Sequence, residues 1–434
     1  MNTKSYMQVL GSFVVLTALI PSALAKMPNR ENEELRFTLI LSRHGVRAPM
    51  ASAIGYAAQP WPTWEVPPGQ LTPHGAKALQ QMGMYLRSDL AKRGLFPVVG
   101  CVQFAEVYLY SDTDARNIAS SRATFEGFAP ACDSLPIHTV DPKTLDPLFH
   151  AAAFFPHPVD GTNLGRSALP AEALNILAAE SSTQLELLSC ILAPDRAHQA
   201  EKSILGGTNH VASAPADILA ANRLRSSASE IVQDLVLEYV DGKPMSQVGW
   251  GRVDEATLRR LIPIRITSFN LEKRPLAFAQ VASSNLLFHI LKTLDQASSG
   301  IATPGAFGSP SNRLVYISGH DGDLAGIGGL LGLHWIADGN KDDAPPDSQI
   351  AFELWQRPGS RRYTIRIRYR AQTLDQLRNA STLISSNPPA QFPVTPTGCT
   401  SSADCSFAVF RATALSRIDF RYVRSALDRS QIAP

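Results

Sequence analysis

Two arginines flank one histidine in the segment Leu41-Ser42-Arg43-His44-Gly45-Val46-Arg47-Ala48-Pro49. An arginine guanidinium is a planar fork of donors that matches phosphate oxygens, and a neutral imidazole is a nucleophile. The segment therefore has the residue types needed to bind a phosphate group and to attack its phosphorus. A lone Arg-His-Gly triplet is more often a turn with solvated arginines, so it is the full Arg-His-Gly-x-Arg-x-Pro pattern that favours phosphate chemistry.

Three short apolar runs precede the residues that could do this chemistry. Leu35 to Leu41 leads into Arg43 and His44, Val107 to Tyr110 leads into a segment ending at Arg116, and Leu314 to Ile317 leads into His320 and Asp321. Such runs, closed by glycine or charged residues, are typical of buried strands in an α/β sheet. Ligands bind at the carboxyl ends of these strands, so Arg116 is a third side for a phosphate pocket around His44.

The separated motifs resemble those of the histidine acid phosphatases, the secreted branch of the histidine phosphatase superfamily that includes bacterial phytases and glucose-1-phosphatases. One is the Arg-His-Gly-x-Arg-x-Pro motif, and the other is the His320-Asp321 pair after a second strand. Further similar segments span nearly the whole mature chain: Trp61-Pro62-Thr63-Trp64, Gly69-Gln70-Leu71-Thr72-Pro73, Asp146-Pro147-Leu148-Phe149, Gly249-Trp250-Gly251 and Phe352-Glu353-Leu354-Trp355.

The fold class expected on this basis is α/β, with a central, mostly parallel sheet flanked by helices, as in the phosphoglycerate-mutase-like core. Residues 26–150 and 296–434 are predicted to form this catalytic core. Between 151 and 295 the apolar residues recur at helical spacing, for instance from Ile231 to Tyr239, which predicts a mainly α-helical cap. The alternating segments around Pro358-Gly359 predict a hairpin with one solvated face that carries Arg366 and Arg368.

The resemblance and the chemistry together suggest a mechanism for phosphomonoester hydrolysis. His44 attacks phosphorus to give a phosphohistidine, while the phosphate oxygens are bound by four donors: Arg43, Arg47, Arg116 and His320. Asp321 protonates the departing alcohol, and water then releases inorganic phosphate. The arginines should lower the pKa of His44, whereas Asp321 must hold a proton, so we predict an acid optimum and a loss of rate above neutrality. The scheme requires no metal and no cofactor.

Residues 1–25 have the form of a signal peptide, with Lys4 before an apolar stretch and Ala23-Leu24-Ala25 at the cleavage site. This predicts a secreted, periplasmic protein with no membrane span in its mature form. The formal charge of +2 gives no global field that would attract nucleic acid or a membrane. The expected partners are therefore small-molecule phosphate esters, and the sequence leaves the oligomeric state open.

Five cysteines in a secreted chain predict disulfides with one thiol left over. The spacings alone leave the pairing open, but the resemblance to bacterial phytases implies the pairs Cys101–Cys132 and Cys399–Cys405. Cys190, in an apolar segment, is then expected to be a buried small hydrophobe. None of the cysteine spacings is typical of a zinc site.

Three departures from the family pattern weaken the expectation of a phytase. Asp323 stands where asparagine is common, Met50-Ala51-Ser52 replaces a segment with a lysine, and Ala279 to Ser284 lacks a common arginine. Fewer cations favour smaller sugar phosphates over a substrate with six phosphates, while Asp323 either caps the following helix or alters substrate choice. Phytate as the main substrate is one alternative. A non-catalytic periplasmic phosphate-ester binder is another, although it would need neither His44 nor Asp321.

Overall fold

The computed structural model describes residues 33–50, 57, 59–154, 182–193 and 215–424. The predicted signal peptide, residues 1–25, lies outside the described residues. The strands are β1 (Glu34–Arg43), β2 (Val107–Ser111), β3 (Ile137–His138), β4 (Leu314–Gly319), β5 (Ile336–Ala337), β6 (Asn340–Lys341), β7 (Gln349–Gln356), β8 (Tyr363–Ala371), β9 (Ala390–Val394) and β10 (Cys405–Ser406). The helices are α1 (Pro73–Lys92), α2 (Ala115–Phe128), α3 (Ser182–Leu192), α4 (Pro215–Val240), α5 (Glu255–Lys273), α6 (Leu276–Ser299), α7 (Asp321–Leu331), α8 (Leu374–Arg378) and α9 (Phe407–Arg417).

The predicted α/β fold is confirmed, and the three strands expected from the apolar runs are β1, β2 and β4. The main sheet has the order β10-β8-β7-β1-β4-β2-β3, with β9 beside β8. Its central strands β1, β4 and β2 pair in parallel, and β7 and β8 extend it in antiparallel fashion. Arg43 is level with Gly319, and Ser111 is level with Ser318. The residues that follow these three strands therefore meet at one edge of the sheet.

Alternating side chains of the strands face two different layers of helices. Leu39, Leu41 and Ile317 belong to a buried cluster with helix α6 on one face. Ile40 and Tyr316 belong to a second cluster, with helices α1 and α2 on the other face. Because both faces are covered, the central strands carry apolar side chains on both faces over most of their length. In the part of the chain that the structure describes, every helix is too short or too polar to span a bilayer.

Helices α3, α4 and α5 form a third buried cluster beside the sheet. The predicted helix with Ile231 and Leu235 on its buried side is α4, and it ends just before Asp241. The predicted cap boundary at residue 295 needs correction, because it falls inside α6. Leu286, Leu287 and Ile290 of α6 pack in the main core cluster, so α6 is part of the layer that covers the sheet. A helical period shows that a segment is a helix but not what it packs against.

The hairpin of β7 and β8 forms as predicted, but the prediction of one solvated face was wrong. All residues of β7 except Gln356 are buried, including the carboxylate of Glu353. Glu353 pairs with Arg93 just beyond the end of α1 and with Arg368 of β8. Charged side chains of this alternating pattern thus form ion pairs beside α1. The pattern alone does not distinguish side chains in such ion pairs from side chains in solvent.

Both disulfides implied by the resemblance are formed, Cys101–Cys132 and Cys399–Cys405. The expectation for Cys190 was wrong, since this free cysteine is exposed on α3. The apolar residues around it, such as Leu188 and Ile191, occupy the buried side of the helix instead.

Candidate active site

His44 follows strand β1 and is 4% exposed. Its backbone N–H donates to the carbonyl of Gly319 at 3.0 Å, which joins the ends of β1 and β4. Its Nδ1 lies 2.9 Å from the carbonyl oxygen of Gly45, so Nδ1 is the protonated nitrogen and donates this bond. Nε2 is then left with its lone pair. Burial, and after it the charges of Arg43, His320, Arg47 and Arg116, hold the pKa of His44 well below its usual value, as predicted.

Arg43 is the last residue of β1 and is 2% exposed. Its guanidinium donates to the carbonyl of Ala344 and, at 3.0 Å, to Oε1 of Gln233, and it lies 3.1 Å from Oδ2 of Asp321. Its Nε is buried and has no hydrogen-bond partner among the described residues. A buried donor without a partner is costly, so a ligand oxygen at Nε would be favourable.

Arg47 and Arg116 are half-buried and lie close enough to His44 to lower its pKa. Burial and the charge of Arg116 lower the pKa of Arg47, while Asp321 and Asp234 act in the opposite direction. Arg116 pairs with Asp114 at 2.5 Å, and its Nε is buried without a partner among the described residues. An anion bound between these guanidiniums would relieve their repulsion. We call Arg43, Arg47, Arg116, His44 and His320 the phosphate cradle.

His320 is the N-cap residue of α7, and its ring centroid lies 5.6 Å from that of His44. Its Nε2 lies 2.6 Å from Oδ2 of Asp112, the residue after β2, so Nδ1 is the nitrogen left to face a ligand. Asp323 takes the first of the two roles considered for it, because its Oδ2 accepts the backbone N–H of His320 at 2.7 Å. This bond fixes the start of the helix.

Asp321 begins α7 and pairs with two arginines. Its Oδ2 lies 3.1 Å from Arg43 and 2.7 Å from Arg265, and its Oδ1 accepts the N–H of Gly322 at 2.9 Å. Burial alone would raise the pKa of Asp321, but Arg43 and Arg265, together with the two nearby histidines, lower it well below the usual value. In the ligand-free protein this carboxyl group is therefore ionised.

Every site residue predicted from the sequence lies at this edge of the sheet, but the sequence analysis missed Arg265. It lies on α5 and donates to Gln233 at 2.7 Å, to Asp321 at 2.7 Å and to Asp343 at 3.2 Å. Arg265 places a guanidinium at the site. The following helix, α6, lacks the arginine that the family pattern has near its start, between Ala279 and Ser284. The available signal was a charged residue between Ile264 and Ile266 in an apolar helix, which indicates a buried and paired arginine.

The cavity next to the phosphate cradle has mixed walls. It is lined by Arg47, Met50, Ser229, Glu230, Gln233, Asp234, Arg265, Phe269 and Asp321. Burial, opposed by Arg47, raises the pKa of Asp234 to about 7. Below neutral pH this side chain is therefore a neutral acid that both donates and accepts hydrogen bonds.

Residues 34–160 match the family described as the histidine phosphatase superfamily (branch 2). The chain is 29% identical to phytase AppA of Escherichia coli over 91% of this chain and 95% of that protein. It is 25% identical to a glucose-1-phosphatase of Salmonella typhimurium, over 90% and 94% of the two chains. The apo structure of Hafnia alvei phytase superposes with a TM-score of 0.78 at 26% identity, covering 91% of this chain and all of that one.

The fold, the motifs and these similarities together define a hydrolase of phosphomonoesters. The chain is thus similar over most of its length to phytases and glucose-1-phosphatases, and residues 34–160 carry its match to the histidine phosphatase superfamily, branch 2.

Proposed function

We propose that this protein hydrolyses phosphomonoesters at acid pH through a phosphohistidine on His44, and that sugar phosphates are its main substrates. The observation that carries the proposal is a buried imidazole whose Nδ1 is bound to a carbonyl, so that Nε2 is unprotonated, among three arginines. Phosphoryl transfer needs little beyond a positioned nucleophile and neutralisation of the phosphate charge. This arrangement supplies both.

In the first step, Nε2 of His44 attacks phosphorus and the bond to the leaving oxygen breaks. Arg43, Arg47 and Arg116 bind the non-bridging oxygens, and the unpartnered Nε atoms of Arg43 and Arg116 are the donors available for this. His320 donates to Asp112 through Nε2–H, and in its doubly protonated form it adds a second donor, Nδ1–H, toward the phosphate. The guanidiniums offset the negative charge that would otherwise repel the nucleophile.

Asp321 gives its proton to the leaving alkoxide and later assists the water that attacks the phosphohistidine. Arg43 and Arg265 keep this carboxyl group ionised in the ligand-free protein. A phosphate dianion in the cradle pairs with Arg43 and thereby weakens the pairing of Arg43 with Asp321. It also brings negative charge close to Asp321, and both changes favour the protonated form of Asp321. Protonation of Asp321 therefore accompanies substrate binding, and the supply of protons at acid pH supports it.

The walls of the cavity favour a leaving group with hydroxyls over one with several phosphates. Asp234, Gln233 and Ser229 offer hydrogen bonds to hydroxyl groups, while the exposed Glu230 repels additional phosphates. Arg265 is already bound to three side chains and so contributes little free positive charge to a second phosphate.

Phytate is the competing main substrate, and the similarity to two phytases, one from Escherichia coli and one from Hafnia alvei, favours it. Phosphate release near pH 5 from glucose 1-phosphate and from phytate, compared as kcat/KM, separates the two. A higher value for glucose 1-phosphate is expected. A much higher value for phytate would contradict the proposed preference.

The substitution H44A distinguishes an enzyme from a non-catalytic phosphate-ester binder. Turnover should fall to background while inorganic phosphate still binds, because the arginines remain. The matched control is H334Q, since His334 is exposed and pairs with Asp342 away from the cradle. Undiminished hydrolysis by H44A would refute the proposed nucleophile.

The proposed location of the protein is the periplasm or the extracellular space, because residues 1–25 have the form of a signal peptide.

A further inference from the structure

Three side chains of the described chain converge on one point next to the phosphate cradle. Oδ2 of Asp112 lies 2.6 Å from Nε2 of His320 and 3.1 Å from Nε2 of His150. The two imidazole nitrogens and the carboxylate oxygen all lie within 4.8 Å of one another. The proposed reaction uses His320 but has no role for His150.

The backbone fixes each of the three groups in place. Asp112 is buried, and its Oδ1 accepts the N–H of Thr113 at 2.8 Å, which leaves Oδ2 for the imidazoles. The backbone N–H of His320 donates to Oδ2 of Asp323 at 2.7 Å, which holds His320 at the start of α7. The N–H of His150 donates to the carbonyl of Asp146 at 2.9 Å, and its side chain is 31% exposed. The site is therefore formed in advance, and solvent reaches it past His150.

Two imidazole nitrogens and one carboxylate oxygen are a ligand set that binds Zn²⁺ and Cu²⁺ well. Mg²⁺ and Ca²⁺ instead prefer sites made of oxygen atoms only. The surrounding charge also favours a cation. The carboxylate of Asp114 lies 3.7 Å from Nε2 of His320. The pKa of His150 is raised by its hydrogen bond to Asp112 and by the negative charges of Asp112, Asp323 and Asp114. The nearby cation Arg116 is paired with Asp114.

We propose that Asp112, His150 and His320 bind Zn²⁺ or a similar divalent transition-metal ion, and that the bound ion inhibits the phosphatase. Each Nε2–H hydrogen bond to Asp112 is exchanged for a metal–nitrogen bond, and the displaced Nε2 proton passes to solvent. Coordination draws the ring of His320 toward the ion, so that its Nδ1–H no longer reaches the phosphate. The inhibitory part rests on the proposed function, because it requires His320 to contact the substrate.

Calorimetric titration of the full protein with ZnCl₂, in a buffer free of phosphate and chelators, tests the site without any substrate. We expect about one tightly bound ion per chain. In H150Q, zinc affinity should fall about tenfold or more, because an amide donates to Asp112 as the imidazole does but is a poor zinc ligand. The control is H334Q. His334 also pairs with an aspartate, Asp342, but among the described residues no second imidazole joins that pair. H334Q should therefore bind zinc like the wild type.

Inhibition is measured next, as kcat/KM against zinc concentration. Wild type and H334Q should be inhibited, H150Q should be resistant while keeping its metal-free activity, and MgCl₂ should have no effect. The absorption bands of Co²⁺ bound to the wild-type protein report imidazole ligation and do not depend on any variant folding. Failure of the wild type to bind zinc or cobalt, equal zinc affinity in H150Q, or zinc binding without inhibition would overturn the proposal. The binding result is independent of the phosphohistidine test, so either proposal can fail alone.

Discussion

The proposed reactivity of His44 depends on one hydrogen bond. The carbonyl of Gly45 accepts a hydrogen bond from Nδ1–H, which leaves Nε2 unprotonated, while burial and neighbouring positive charges prevent a second protonation. The motif therefore contains both the proposed nucleophile and the backbone acceptor that orients it. This is why a short sequence pattern was enough to single out the candidate nucleophile.

The substitution R265M should extend activity to higher pH. Arg265 lies 2.7 Å from Asp321, and the other titratable groups around that carboxyl include Arg43, Arg47, His44, His320, Asp323 and Asp343. Removing one cation raises the pKa of Asp321, so the acid form persists to higher pH. The alkaline limb of the kcat profile, which reports the enzyme–substrate complex, should move up by about one unit or more.

R259M is the matched control for this change, since Arg259 lies on the same helix and pairs with Glu255 and Asp338 instead. Its profile should coincide with that of the wild type. An alkaline limb that stays in place, or moves to lower pH, in R265M would show that Arg265 does not act on the proton donor.

The substitution D234A should distinguish sugar phosphates from simple aryl esters. If Asp234 binds hydroxyls of the leaving group, kcat/KM for glucose 1-phosphate should fall about three- to tenfold, the value of one hydrogen bond. That for p-nitrophenyl phosphate should change little, because its leaving group has no such hydroxyls. Equal losses on both substrates would contradict a role for Asp234 in recognition.

At the level of elements, three parallel strands place residues far apart in sequence at one edge. The register of β1 against β4 brings Arg43 level with Gly319, and the register of β4 against β2 brings Ser318 level with Ser111. Helix α7 then starts at Asp321 and is held against α6 by close contacts. A Cβ at Gly326 would lie 2.0 Å from Oγ of Ser283, and one at Gly329 would lie 2.2 Å from the carbonyl oxygen of Arg274.

The substitution G329A should therefore destabilise the protein and disturb the site. The added methyl group meets backbone that cannot easily move, so α7 must shift, at an expected cost of about 1–3 kcal/mol in the free energy of unfolding. G322A on the same helix is the stability control, because no atom lies within 4 Å of its added Cβ. Equal unfolding free energies for the two variants in urea would contradict the close packing.

The sequence predicted these strands well because their apolar runs and the motifs after them are local signals. It could not place α6, whose apolar pattern would suit a cap as well as a sheet face, and it mistook the charged face of β7 and β8 for a solvated one. Arg265 escaped prediction for a related reason. Its importance arises from contacts with Gln233, Asp321 and Asp343, which only the folded chain brings together.

Across the whole molecule, burial raises the pKa of several carboxyl groups. The groups and their pKa values are Asp146 at about 6, Asp234 and Asp323 at about 7, and Glu238 and Asp347 at about 8. Their values in the unfolded chain are near 4. Between pH 4 and pH 8 the folded state therefore binds more protons than the unfolded state. Stability from these groups is fully present below pH 4 and is lost as the pH rises toward 8.

Asp347 offers a direct test of this linkage, because its carboxyl group is buried. It also lies next to the site, since its backbone N–H donates to the carbonyl of His44. The unfolding free energy of the wild type should fall between pH 5 and pH 8. D347N, neutral throughout, should lose less, by on the order of 1–3 kcal/mol. The exposed control D133N should follow the wild type. Parallel curves for D347N and the wild type would show that Asp347 does not titrate in this range.

The central claim is a covalent phosphate on His44, and trapping it is the most direct test. The wild type and D321N, in which release should be slowed, are mixed with ³²P-labelled p-nitrophenyl phosphate and quenched in alkaline detergent, which preserves the N–P bond. Peptide mapping should place the label on His44, with more of it in D321N and none in H44A. Turnover by the wild type with no label on His44 in either protein would contradict the account.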